Sequence, residues 1–338
     1  MKPCLVIGSG FHSWVLGKSN TPLSNWNMLI DQVAESLSVA IPSHTLNPVL
    51  RWEKLLENAS NDGFKPSTPG STWIDKQSLN ISAIEPYAKN AVKDVLEKFV
   101  QYYPNKSARS LFPLSEYFGS VISLNFDHCW IGGTNFKYQP TGDKTKYKML
   151  YQYEIDRLHN HITKDSHPSI KIWYPNGSLM SPCTIRMGLY DYGTKPYSIK
   201  EAFKNIKSFE NQIYKEISSD NWNFYEPLLE KAISENNPLV NNWVTEFLYR
   251  PIYFAGTGLS ESETGLWWLL AQRARNFAKL ETRERPPTYV LINAKDPRHE
   301  FWTNRPCGVE TILCSDWDIG WEMIMDKVNP REISGGTF

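Results

Sequence analysis

The sequence predicts an α/β fold: a Rossmann-like parallel sheet with helical lobes inserted into it. Four short apolar runs carry the prediction, each ending at small or polar residues: Cys4–Gly10, Val121–Asp127, Ile170–Ser178 and Ile252–Leu259. Runs of this kind read as buried strands, and in an open parallel sheet the strand ends line the crevice where ligands bind. Two of them turn through glycines, at Gly8-Ser9-Gly10 and Gly256-Thr257-Gly258. Helix-patterned stretches much longer than an ordinary crossover separate the strands. The reading is a single domain over 1–338 with helical inserts at about 20–115 and 196–250.

The elements follow in order. After the first strand and its glycine turn comes a polar stretch rich in Ser and Asn, then short helices over about 26–41 and 48–59. Pro66, Pro69 and Gly70 mark a surface loop. An amphipathic helix follows, with Ala88, Val92, Val95, Leu96 and Phe99 on one face and Pro104 closing it. The stretch after Asp127 reads as loop, with Gly132-Gly133 and Thr141-Gly142-Asp143, and leads to a polar helix around 151–163 carrying His159 and His161. The second helical lobe opens with a stripe of Ile199, Ala202, Phe203, Ile206, Phe209, Ile213 and Ile217, which reads as core or a lobe-to-lobe contact and not as a cofactor box. A helix is expected from about 261 to 279, with Ser260 and Glu263 at capping-box spacing and Leu266, Leu269, Leu270, Ala274 and Phe277 facing inward. Strands at Thr288–Asn293 and Val309–Cys314 and a helix near 317–328 complete the pattern.

Composition narrows the function. Lys plus Arg and Asp plus Glu each total 36, and this neutrality argues against a general nucleic-acid binder. The five cysteines form no Cys-x-x-Cys pair, so neither a zinc ribbon nor a dithiol motif is expected, and their scatter suits a reducing cytoplasm. Cys4 and Cys314 read as inert buried thiols. The chain opens directly on a strand, without a signal-peptide apolar region, and no apolar run reaches the ~18 residues of a membrane helix. A cytoplasmic protein is expected. The 13 Trp and 17 Tyr serve either core packing and interfaces or a ligand pocket.

The chemistry sits at the strand ends. Gly8-Ser9-Gly10 lets backbone amides approach a phosphate, although no third glycine completes the dinucleotide fingerprint. Ala255-Gly256-Thr257-Gly258-Leu259 is a second strand–glycine–helix unit, and two such turns in one sheet fit the two ends of a dinucleotide. The alternative is a pair of ordinary βα turns. Asn125, one step beyond its strand, offers a neutral amide that can bond a ribose hydroxyl or orient a water. Asp127, two residues on, either orients Asn125 or begins the next turn. Tyr174-Pro175-Asn176-Gly177 contains a turn dipeptide and can be a bare β-turn.

In order and content the four segments resemble the sirtuin-like family of NAD-consuming proteins, in particular its bacterial antiphage-defence branch. The matching order is a glycine turn, a helical insert, a strand ending in Asn125-Phe126-Asp127, a strand ending in Gly177-Ser178, and a strand with Gly256-Thr257-Gly258-Leu259. Leu259–Leu270, and Pro182–Leu189 with Tyr192 after it, also resemble that branch. The resemblance spans most of the chain, and the two helical lobes carry little of it.

The resemblance implies an NAD pocket in which Asn125 positions the nicotinamide ribose or the attacking water. Gly8, Ser9, Gly10, Gly256, Thr257, Gly258 and Leu259 form the cofactor cradle, and Asn293 joins them as a cofactor-binding position. The chain departs from the family twice. It lacks the four-cysteine zinc module, so deacetylation and a metal are not expected. It also has Asn176 where the family places a histidine, and an amide cannot take a proton as imidazole does. Asn125, Asp127 and Asn176 are the catalytic candidates, with His159 or His161 as substitute bases.

The expected function is NAD hydrolysis to nicotinamide and ADP-ribose, depleting NAD during phage attack. A second reading is a weakened module that binds NAD, ADP-ribose or another nucleotide and regulates a partner. A third is a structural subunit. The resemblance further implies control by homo-oligomer assembly, a small-molecule signal or a partner defence protein, such as a hexameric translocase, a nucleotide-pyrophosphatase-like subunit or an Argonaute-like protein. No direct nucleic-acid or membrane contact is expected.

Overall fold

A computed structural model describes residues 1–16, 21–62, 64, 81–100, 117–127, 136–140, 158–163, 170–179, 181–216, 222–235, 237–257, 259, 263–278 and 285–329. Its centre is a Rossmann-like α/β sheet. The strands are β1 (Cys4–Ile7), β2 (Ser120–Ser123), β3 (Phe136–Pro140), β4 (Leu158–Thr163), β5 (Ile170–Trp173), β6 (Ile252–Ala255), β7 (Thr288–Asn293) and β8 (Glu310–Cys314). In space they run β3-β4-β5-β2-β1-β6-β7-β8. The stretch from β5 to β8 is parallel throughout. Taken in chain order, its six strands lie third, second, first, fourth, fifth, sixth, the doubly wound arrangement. The order reverses between β1 and β6, and ligands of such sheets bind at the carboxyl ends of the strands beside that point.

Strand alternation sorts the core. Cys4, Val6, Ile122, Phe254 and Val290 face one layer, which holds α5 (Leu189–Glu216), α6 (Trp222–Ser234), α7 (Trp243–Tyr249) and α8 (Thr264–Asn276). Leu5, Ile7, Val121, Tyr253 and Ile312 face the other, with α1 (Ser9–Leu16) and α10 (Trp317–Val328). Across that second layer Trp14 and Trp321 pack at 5.1 Å, and Trp14 Nε1 donates to Asp318 at 2.7 Å. A short helix, α9 (His299–Thr303), links β7 to β8. Burial pushes the Cys4 thiol up to about 12 and raises that of Cys314, as inert core thiols require.

The helices between β1 and β2 form a third cluster. They are α2 (Trp26–Leu37), α3 (Pro48–Asn61) and α4 (Ile81–Val100). Asn25 caps α2 through bonds from Asn27 N and Met28 N; Asn47 caps α3 ahead of Pro48 at the first helical position. Such caps contribute about 1 kcal/mol each. The buried Arg51 guanidinium ties α3 to α2, pairing with Asp31 and donating to Asn27 and Pro42 O. On α4, Ala88, Val92, Val95 and Leu96 are buried. This cluster includes Phe126, Leu179, Ile185 and Met187, so the helical block packs on the segments that follow β2 and β5.

Several local expectations are corrected. The polar helix at 151–163 is not formed where the structure describes it: Leu158–Thr163 is strand β4, antiparallel to β5 and β3. An open sheet edge supplied pairing partners, and tertiary pairing outweighs local polarity there. Helix α1 follows Gly8 directly, in place of the expected polar stretch. Helix α8 starts at Thr264, with Glu263 at the N-cap and no side-chain cap bond. The Glu263 carboxylate instead accepts the Tyr192 hydroxyl at 3.3 Å. Helix α5 begins at Leu189, ahead of the expected lobe boundary. The candidates Gly258 and Ser260, the Pro66–Gly70 loop, Pro104, Gly132-Gly133, Thr141-Gly142-Asp143 and Ile217 lie outside the described residues.

Candidate functional site

The site is built from the carboxyl ends of β1, β2, β5 and β6. Parallel register places Ile7 beside both Ser123 and Ala255, so the residues after each strand converge at the switch point. Leu124 N donates to Ile7 O at 2.9 Å, extending the ladder one residue past β2. Asn125 then leaves the strand. Its N–H donates to the Ser123 hydroxyl oxygen at 3.3 Å, and its Nδ2 donates to Gly8 O at 3.0 Å. That bond fixes the carboxamide plane. By its bonding inventory the amide keeps a second N–H and the Oδ1 lone pairs for a ligand.

Asp127 faces His12. The His12 Nε2 lies 2.8 Å from Asp127 Oδ2, with side chains 0% and 2% exposed. The pair links α1 to the segment after β2, beside the Asn125–Gly8 bond. Asp127 thus has a partner on α1 that neither expected role, orienting Asn125 or beginning the next turn, included. His12 was missed by sequence reasoning. The available signal was spacing: a glycine turn running straight into a helix puts His12 one turn beyond Gly8, on the side of the strand ends.

Asn176 sits in the β-turn that its dipeptide predicted, with Gly177 N donating to Tyr174 O at 2.9 Å and Gly177 at φ +92°. It is nonetheless 1% exposed. Its Nδ2 donates to Leu124 O at 3.0 Å, and its carbonyl accepts Arg186 N at 2.8 Å. This turn is thereby fastened to the end of β2. Asn176→Ala leaves the buried Leu124 carbonyl without that donor and is expected to cost about 1–3 kcal/mol. Urea unfolding measures it, and unchanged stability would show that the bond does not hold the turn.

The glycine turns meet each other. Gly8 N donates to Ala255 O at 3.3 Å and Gly10 N to Gly256 O at 2.8 Å. A Cβ on Gly8 would lie 2.9 Å from Gly256 O, and one on Gly10 at 2.8 Å from the same atom. Two N–H groups of the expected phosphate cradle are thus engaged by carbonyls at and just past the end of β6. The glycines' first task is close approach of two backbones at the switch point. Ser9 opens α1 and is half-buried. Leu259 is buried at φ +39°, its N–H on the Thr257 hydroxyl at 3.3 Å.

Asn293 stands apart from these bonds. At the end of β7 it donates from Nδ2 to Ser315 O at 3.3 Å and accepts Lys295 N at 2.9 Å, on the β8 side. His159 and His161 lie on β4, opposite Ile172 and Ile170 in register, so His161 pairs at the start of β5, away from the strand ends.

A second tier borders the strand ends. Trp26 packs on Phe126 at 5.5 Å and on Tyr192 at 6.4 Å, joining α2 to the β2 segment and to α5. Burial, reinforced by Glu263, holds the Tyr192 hydroxyl well above the ordinary phenol range, so it is a donor and not a phenolate. Burial also lowers the Arg186 pKa, and Asp191 opposes that shift. Among the described residues no group of three or more His, Cys, Asp and Glu is placed to hold a metal ion. No helix among them is long and apolar enough to cross a membrane.

The arrangement defines a doubly wound α/β protein with an oriented carboxamide and a buried imidazole–carboxylate pair at its switch point. No protein-family model matches the chain, and no curated protein matches it either.

Proposed function

We propose that this chain is a sirtuin-like NAD hydrolase that cleaves NAD to nicotinamide and ADP-ribose, acting in the cytoplasm as an antiphage effector by NAD depletion. One observation carries the reading: Asn125, with its plane fixed by Gly8 O, stands beside the His12–Asp127 pair at the switch point of a doubly wound sheet. The ordered resemblance of the four strand-end segments supports it.

The chemistry needs no metal. The bond from C1′ to the nicotinamide nitrogen breaks with its electron pair going to the ring, whose positive charge is neutralised. The leaving group needs no acid. The ribose passes through an oxocarbenium-like state, and water adds at C1′. Positioning and charge stabilisation can supply much of the rate. Asn125 positions the ribose or the water, and the carboxylate of Asp127 stabilises positive charge nearby. With the Gly8 and Gly10 amides engaged, the glycine turns serve the dinucleotide by leaving its approach to the backbone free of side chains.

Incubating the purified protein with NAD, alone and with the products of neighbouring genes, is expected to release nicotinamide and ADP-ribose in equal amounts. Absence of nicotinamide in every mixture overturns the reading. A second reading keeps one specific support: Asn176 is engaged in holding its turn and offers no base. It makes the protein a nucleotide-binding regulator of a partner, identified by ADP-ribose or NAD binding without turnover.

A further inference from the structure

The four strand-end segments contain few groups able to take a proton. Over residues 8–12, 123–127, 174–178 and 255–259 the ionisable side chains are His12, Asp127 and Tyr174. Tyr174 is fully buried in the apolar layer with α1 and α10. Asn176, at the position of the family's histidine, is an amide. Tyr192 is held protonated beside Glu263. His161 pairs at the start of β5, away from the strand ends, and His159 lies outside the four segments, on β4 opposite Ile172. Within the four segments the pair of His12 and Asp127 is what remains, at 2.8 Å, with Asp127 two residues beyond Asn125 and His12 four beyond Gly8, whose carbonyl Asn125 binds.

Burying such a pair is costly. Two ionisable groups removed from water generally contribute less than an apolar pair of the same volume, so a purely structural latch between α1 and β2 gains little from this choice. A pair able to receive a proton in a water-excluded site gains a function from the same burial.

We propose that His12 and Asp127 together form the proton-accepting dyad of this site, an imidazole supplied from α1 in place of the one absent at residue 176. The proposal rests on the NAD-cleaving reading above. In the step, the water oxygen bonds to C1′ as the C1′–nicotinamide bond breaks and its electron pair moves to the ring nitrogen. One water proton passes to the dyad, converting neutral imidazole and carboxylate into imidazolium and carboxylate. The hydroxyl left on C1′ completes ADP-ribose. Release of the proton to solvent after the product departs resets the pair.

The test uses the full-length protein, NAD and sodium azide. His12→Ala is expected to lower nicotinamide release by about 10²-fold or more, the usual contribution of a positioned base. Azide is an anionic nucleophile with no proton to lose, so it should restore turnover in that variant and give ADP-ribosyl azide, detected by mass spectrometry. Asn125→Ala, which lacks a positioning group and not a base, should not be rescued. His12→Gln guards against misfolding: its amide can donate to Asp127 but cannot accept a proton, so it should fold, be slow and respond to azide. A folded His12→Gln enzyme with wild-type rate overturns the dyad, and so does a slow one that azide leaves unchanged. Wild-type protein that releases no nicotinamide overturns the NAD-cleaving reading and the dyad with it. The two failures are therefore told apart by the wild-type assay.

Discussion

Asn125→Ala is expected to slow NAD cleavage by about 10²–10³-fold, the loss typical of one preorganised transition-state contact. The side chain is 5% exposed, and its Nδ2 bond to Gly8 O joins β2 to the glycine turn. Alanine removes that donor while Gly8 O keeps its bond from Phe11 N at 3.0 Å, so the cost is that of one ordinary hydrogen bond, about 0.5–1.5 kcal/mol in stability. The activity loss must therefore be read on protein shown by its melting curve to be folded at the assay temperature. Asn125→Asp gives a sharper comparison, since it keeps the shape, removes the N–H donor and adds a charge next to Asp127. Both variants should lose nicotinamide release, and the aspartate variant should lose more stability. A folded Asn125→Ala protein releasing nicotinamide at wild-type rate would remove Asn125 from the catalytic set.

The parallel sheet was legible because its evidence is local. Each strand is a short apolar run closed by a turn residue, and β7 falls on the residues the pattern marked. Asn125 and the two glycine turns were legible for the same reason, since each stands next to such a run. The antiparallel β3–β4 pair was not: Leu158–Thr163 has two histidines and an asparagine in six residues, and only pairing with β3 and β5 makes it a strand. Helix α1 was hidden by its own start, where Ser9 and Gly10 look like the continuation of a turn. With α1 went His12, whose meaning depends on a carboxylate far along the chain. Nor does any local pattern show that the Glu263 carboxylate accepts the hydroxyl of Tyr192 from a distant helix. Long-range partners decided each of these cases.

The glycine turns change meaning most between sequence and structure, and Gly256 shows it. Read as part of a phosphate cradle, its replacement by valine weakens NAD binding in a folded protein. The structure predicts a folding defect instead. Gly256 has φ +64°, a left-handed conformation that costs an L-residue about 1–2 kcal/mol. A Cβ there would overlap Phe11 N and lie 2.7 Å from Gly10 C, all backbone atoms of the β1–α1 turn. Those atoms cannot yield as a flexible side chain would, because Gly10 N is bonded to Gly256 O at 2.8 Å and Phe11 packs against Trp14 and Trp321. Overpacking of this kind typically adds about 1–3 kcal/mol. Gly256→Ala is thus expected to lose on the order of 2–5 kcal/mol, and Gly256→Val, whose branched Cβ must also enter this contact, more. Much of the stability of a typical domain, about 5–15 kcal/mol, would be gone. Urea unfolding of Gly256→Ala and the soluble yield of Gly256→Val measure the effect. A valine variant with wild-type melting and weakened NAD affinity would return this glycine to the cofactor cradle, and would mean that the two turns part to admit the ligand.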